Sequence, residues 1–260
     1  KQLDQIPVSR VDDALVGQVS GVNIQMTNPA AGEAPRIRIR GQGSISFDSN
    51  PLIVVDGIVV GNDADFLSSL DMNNVESVEV LKDAASSAIY GSRGANGIIM
   101  ITTKAGAEGP AKITYNSYFG VKSVPRSGIL STPEKWSEYV KANNGGVLTD
   151  RMRYIQQLGT YTDWEKVMMD GGFIQSHSIA ARGGTKNTKF RAALSYLTDE
   201  GVLLTDKFEK INLRLNFDTK ISKRISFGAV INPSHTIQRR FPIGIHDAVR
   251  QNPWLPLYLD

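Results

Sequence analysis

Polar and apolar residues alternate along much of the second half of the chain. In KINLRLNFD, residues 210–218, Ile211, Leu213, Leu215 and Phe217 share one side of an extended strand, and Asn212, Arg214, Asn216 and Asp218 share the other. In ISFGAVIN, Ile225, Phe227, Ala229 and Ile231 likewise oppose Ser226, Gly228 and Asn232. ITYNSYFGV, FIQSHSIAAR and KFRAALSYLT bring the candidate strands to five, joined mostly by short polar turns. Between the first two, TPEKWSEYVKANN and RMRYIQQLGTYTDWEKVMM predict helices, with Pro133 in the first turn of its helix. They form a long excursion over residues 132–170.

The first hundred residues mix element types. VDDALVGQVSGVNI predicts a short helix capped by Asp12 or Asp13, and a loop follows at MTNPAAGEAP. RIRIRG then alternates strictly, with Arg36, Arg38 and Arg40 on one face and Ile37 and Ile39 on the other. After the polar loop GQGSISFDSN, PLIVVDGIVV reads as a tight hairpin, because Asp56-Gly57 suits a two-residue type I′ turn. In VEVLKDAASSAIYGSRGANGIIMITTK a strand through Val78, Val80 and Leu81 leads to a short helix capped by Asp83 and ended by Gly91; GIIMITTK is the next strand. Strand, helix and strand at that spacing suggest a compact α+β unit over residues 1–106.

Composition narrows the chemistry. The 260 residues are 41% hydrophobic and 21% charged, which describes an ordered chain, and 29 basic against 26 acidic residues leave no charge excess that argues for nucleic acid. There is no cysteine, which excludes thiolate metal sites, thiol catalysis and disulfides. No apolar run reaches the roughly 18 to 20 residues of a membrane helix, so a bilayer would be crossed by strands. The spacing of Gly91, Gly94 and Gly97 matches neither dinucleotide nor phosphate loops; it fits close backbone approach or positive φ. The histidines at 177, 235 and 246 stand apart, and the pairs Asp63/Asp65 and Glu76/Glu79 fit capping or solvated roles better than acid and base catalysis. No cofactor is expected. KQLDQIPVSR lacks a signal peptide's apolar core and an initiator methionine, so the chain is expected to start inside a larger or processed precursor.

NPLIVVDGIVV followed by NNVESVEVLKDAASSAIYGSRGANGIIMITTK closely resembles the plug of the SusC/RagA class of TonB-linked outer-membrane transporters, and RIRIRG resembles the strand before it. DWEKVMMDGGFIQSHSIAARGGTKNTKFRAALSYLTDEGVLL resembles the early barrel of the same class. The resemblance implies a membrane β-barrel protein: an α+β plug over 1–106, then the first antiparallel strands of a large barrel over 107–260. Barrels of 22 strands with a filled lumen are the known large case. Five strands do not close a barrel, so the chain is expected to be the front portion of a longer one.

The implied function is TonB-dependent import of a glycan or oligopeptide across the outer membrane, with no covalent catalysis. The implied partners are a SusD-like surface lipoprotein acting as a lid, the TonB complex of the inner membrane, the cargo and the lipid bilayer. Asp56, Gly57, Asp83, Tyr90, Gly91, Arg93, Gly94 and Gly97 carry the plug motif. Arg36, Arg38 and Arg40, with Glu79, are expected to make the electrostatic contacts between plug and barrel, since cations in a lumen need carboxylates or water. By resemblance, the plug loops facing cargo offer Asn28, Gln42, Ser44, Phe47, Asp48, Asn62 and Asp63. The alternative is a soluble β-rich carbohydrate-binding or adhesion module, whose strands would hide their apolar face in a sandwich core.

Overall fold

The computed structural model describes residues 16–17, 21–25, 30–39, 50–62, 66–67, 70–83, 87–123, 132–169, 171–240 and 251–255. β1 (Val22–Gln25) and β2 (Arg36–Ile39) pair antiparallel, with Ile24 opposite Ile37 and Asn23 opposite Arg38. The strict alternation of RIRI is realised: Ile37 and Ile39 are buried, Arg36 is exposed and Arg38 half-buried. The helix expected after Asp12 or Asp13 lies outside the described residues, as do Asn28, Arg40, Gln42, Ser44, Phe47, Asp48 and Asp63.

β3 (Leu52–Val55), β4 (Ile58–Gly61), β5 (Val75–Leu81) and β6 (Ile98–Thr103) form a four-stranded mixed sheet in the order β4-β3-β6-β5. Every residue of β3 is buried, as an unbroken LIVV run requires of a central strand covered on both faces. Ile53, Val55, Ile99 and Ile101 pack with Ile37, Ile39 and Leu67 on one side, while Leu52, Val54 and Ile98 meet Tyr90 on the other. The hairpin turn has φ of 50° at Asp56 and 82° at Gly57, the positive pair that a type I′ turn needs.

The strand–helix–strand unit differs in detail from its sequence reading. β5 and β6 are antiparallel neighbours, and the parallel pairing is β3 with β6. The connecting helix is a 3-10 run over Ala88–Gly94 that breaks at Gly91, where φ 61° and ψ −148° leave helical space, and continues for another turn. Ser87, helical itself, precedes this run, its hydroxyl donating to the Asp83 carbonyl at 2.9 Å; residues 84–86, where Asp83 is expected to cap the helix, lie outside the described residues. Gly97 has both properties expected of the glycine cluster: its φ is +88°, and a Cβ there would sit 2.9 Å from Ile39.

The second half is one antiparallel sheet: β7 (Gly109–Lys122), β8 (Gly172–Gly184), β9 (Thr188–Glu200), β10 (Lys207–Lys220), β11 (Ser226–Ile231) and β12 (Ser234–Arg239). β11 and β12 both pair with β10, Leu215 facing Ile231 and Asn212 facing Ser234, so they are one strand in a single register. It is interrupted at Pro233, which accepts from the Leu213 N–H at 3.0 Å but has no N–H to return. The sequence pattern stops this strand at Asn232; the structure carries it to Arg239.

Between β7 and β8 stand α1 (Pro133–Asn143), α2 (Asp150–Gln157) and α3 (Trp164–Met168). Thr132, Thr149 and Asp163 cap them, each side chain accepting a backbone N–H of the first turn. The single helix predicted from Arg151 to Met169 is two, separated at Gly159, whose φ is +66°. The excursion is long, whereas the strand pairs β8/β9 and β10/β11 are joined by short turns at 185–187 and 221–225. The long excursion thus stands at one end of the sheet and these two short turns at the other.

Candidate functional site: the plug against the barrel wall

Burial on the wall is inverted relative to a water-soluble sheet. Along β10 Lys210, Asn212, Arg214 and Asn216 are buried, while Ile211, Leu213, Leu215 and Phe217 are exposed. A sandwich would cover the apolar face; here the polar face is the one covered, by the four-stranded sheet and its connections. An apolar outer face and a polar inner one is the arrangement of a membrane barrel wall.

The seam between the two is built from wall cations and plug acceptors. At the β3–β4 turn the Asp56 carboxylate accepts from the Thr103 N–H at 2.8 Å and the Thr103 hydroxyl at 2.6 Å. Arg214 Nη2 donates to Asp56 at 2.7 Å and to Thr103 Oγ1 at 2.6 Å, closing a three-residue knot between the turn, the end of β6 and the middle of β10. A residue chosen for its turn propensity thus also anchors the sheet. One layer over, Asp71 caps the 3-10 turn Met72–Asn74 by accepting the Asn73 N–H, which fixes Asn74 so that its Oδ1 accepts from Arg191 at 2.8 Å. Lys210 donates to the Leu70 carbonyl at 3.3 Å.

A second fastening lies toward the loop end. The Ala31 N–H donates to Asp206 at 2.7 Å, its carbonyl accepts from Gln238 at 2.9 Å, and Glu33 pairs with Arg240. Gly32 between them has φ +73°, and a Cβ there would run into the Phe208 ring, so the backbone lies flat on the wall. The outer loops also hold each other: Trp164 Nε1 donates to the Asn252 carbonyl at 2.9 Å, and Trp136 meets Trp254 edge to face at 5.3 Å between ring centres.

The structure places the sequence-predicted residues unevenly. Asp56, Gly57, Gly94 and Gly97 sit in the plug core and its turn, Tyr90 packs on that core, and Gly91 breaks the 3-10 run. Asp83, Arg93, Glu79 and Asn62 are exposed. For Arg36 and Arg38 the structure gives no pairing with a wall carboxylate among the described residues, and the buried Arg38 Nε has no hydrogen-bond partner. The described pairings run mainly the other way, from wall cation to plug oxygen. Arg191, Lys210, Arg214, Thr103 and Asp206 were not singled out as site residues in the sequence; the signal available was a cation recurring on the polar face of the alternating strands, Arg191 in KFRAALSYLT and Lys210 and Arg214 in KINLRLNFD. His177 lies on the outer face with its Nδ1 2.8 Å from the Tyr115 hydroxyl, an aromatic contact rather than a ligand set.

A mixed-sheet plug seated on an outward-apolar antiparallel wall defines an outer-membrane receptor of the plugged-barrel class. Residues 1–98 match the family model of the TonB-dependent Receptor Plug Domain. The chain belongs with the TonB-dependent receptors of the SusC/RagA kind, as plug and first wall strands, and such receptors are outer-membrane proteins. It is 35% identical to TonB-dependent receptor P26 of Formosa agariphila over 97% of this chain and 26% of that protein. It is 32% identical to TonB-dependent receptor SusC of Bacteroides thetaiotaomicron over 80% of this chain and 21% of that protein. The RagAB peptide importer in its closed-closed state superposes with a TM-score of 0.77 at 26% identity, over 92% of this chain and 30% of that one. The chain therefore spans about a quarter of the length of these relatives.

Proposed function

We propose that this chain is the plug and opening wall of an energy-coupled importer that takes a glycan or an oligopeptide across the outer membrane, with the plug at 1–106 and the barrel starting at 107. The observation that carries the reading is β10, which shows leucine and isoleucine outward and holds the plug inward through Arg214 and Asp56. The plug occludes the lumen until it is pulled from the periplasmic side by the TonB complex, and a SusD-like lipoprotein covers the mouth while cargo is held. Asn28, Gln42, Ser44, Phe47, Asp48, Asn62 and Asp63 are the plug groups offered to cargo, and Arg36, Arg38, Arg40 and Glu79 serve the seat. The chemistry is displacement and binding, with no bond made or broken. The likeness to RagAB, a peptide importer, and to SusC supports the lipoprotein lid, and RagAB supports the peptide alternative; the glycan alternative rests on the sequence resemblance.

The test is purification of the full-length protein from native membranes in mild detergent, with co-eluting chains identified, and growth of a deletion strain on glycan and peptide panels. A co-eluting surface lipoprotein and a growth defect on one cargo class are expected. Recovery in the soluble fraction without detergent would refute the reading.

A further inference from the structure

The inner wall carries more positive charge than the plug engages. Register sets Lys112, Arg182 and Arg191 in one row across β7, β8 and β9, each directly opposite the next. The row lies on the face from which Arg191 reaches Asn74. Lys189 follows two residues along β9, and Lys210 and Arg214 share the same face of β10. The strand carboxylates on that face are Asp199, which Lys122 pairs at the loop end, and Asp218, which stands opposite Lys189 near the short turns without an ion pair between them.

Like charges directly opposite across a strand pair destabilise it, so Arg182 facing Arg191 costs stability. The plug offsets part of this. Arg214 receives a carboxylate, whereas Arg191 receives neutral oxygens from Asn73 and Asn74. Lys112, Arg182 and Lys189 make no side-chain hydrogen bond or ion pair with a described residue, so seating the plug does not account for them. They stand toward the short-turn end, where cargo would leave, and rings or rows of Lys and Arg are how pores favour anions.

We infer that this sector of the lumen wall is an anion track, and that the cargo passing it is an oligomer bearing several carboxylates. The inference rests on the import reading above and narrows it to acidic glycans or acidic peptides. Without it, a neutral cargo would pass a row of cations, Lys112 and Arg182 exposed and Lys189 half-buried, with no charge to offer them.

The test places the full-length protein in planar lipid bilayers, with the plug loosened by urea so that the lumen conducts, and reads the reversal potential in a potassium chloride gradient. Chloride is expected to pass in preference to potassium, and the triple variant Lys112→Gln, Arg182→Gln, Lys189→Gln to lower that preference several-fold. Among the described residues these three make no hydrogen bond or ion pair to the plug, so the contacts of the seat keep their partners. Oligogalacturonate or oligoglutamate added on the loop side should block conductance where maltooligosaccharide and oligoglutamine of equal length do not, and the two acidic probes separate glycan from peptide. An unchanged preference in the variant, or equal block by the neutral oligomers, overturns the anion track and leaves the importer standing. Failure of any conductance to open counts against the importer reading, and the track falls with it.

Discussion

Arg214 is nearly inaccessible, with 3% of its side chain exposed, and one of its nitrogens serves both Asp56 and Thr103. Breaking a buried ion pair costs about 3–5 kcal/mol, and because Asp56 keeps access to water a smaller loss, about 2–3 kcal/mol, is expected for Arg214→Met. A double-mutant cycle with Asp56→Asn, which tolerates the turn's positive φ, isolates the pair. Urea titration of plug release in the full-length protein should give a coupling above about 1 kcal/mol; additive single effects would mean that the pair is not a fastening. At this scale the sequence disclosed half of Asp56. Its preference for a turn is a property of adjacent residues, whereas its partner stands 158 positions away and could not be read from spacing.

Among the elements, β10 makes the clearest statement about solvent, with Leu213 at mid-strand on the exposed face and Asn212 buried beside it. A spin label on Leu213→Cys should be open to oxygen and shielded from a water-soluble nickel chelate in bilayers, while one on Glu209→Cys, nearer the loop end, should see more of the chelate. The reverse order would put the apolar face in contact with water or protein. Period-two alternation was enough to find five strands, because one-sided burial imposes it. It missed β12, since Ser234–Arg239 is exposed throughout and carries little apolar alternation, and a preceding proline reads as an end. The split at Gly159 was equally hidden, because a helical pattern resumes beyond it.

The molecule as a whole has two regimes: a plug with an ordinary apolar core, and a wall whose apolar surface faces outward along open-edged strands. Produced alone in water, these 260 residues should form large assemblies that disperse only with detergent, as followed by analytical ultracentrifugation. A monodisperse monomer in plain buffer would favour the soluble β-module. The plug fold was legible through its motif and the wall through alternation, but their seam was not, because its contacts join residues over a hundred positions apart. Length is a last consequence of that seam. The four-stranded sheet, beginning at Leu52, is held to the wall at Asp56, Leu70 and Asn74, whereas the chain before it is clasped at Ala31 and Glu33. With the clasp undone and β1 and β2 stripped from the plug core, the 51 residues from Lys1 to Pro51 drawn straight would span about 170 Å, against about 30 Å of bilayer hydrocarbon. Reach of that order lies upstream of the sheet, so the pull proposed above would have to strip β1 and β2 from the core before the knot at Asp56 bore tension.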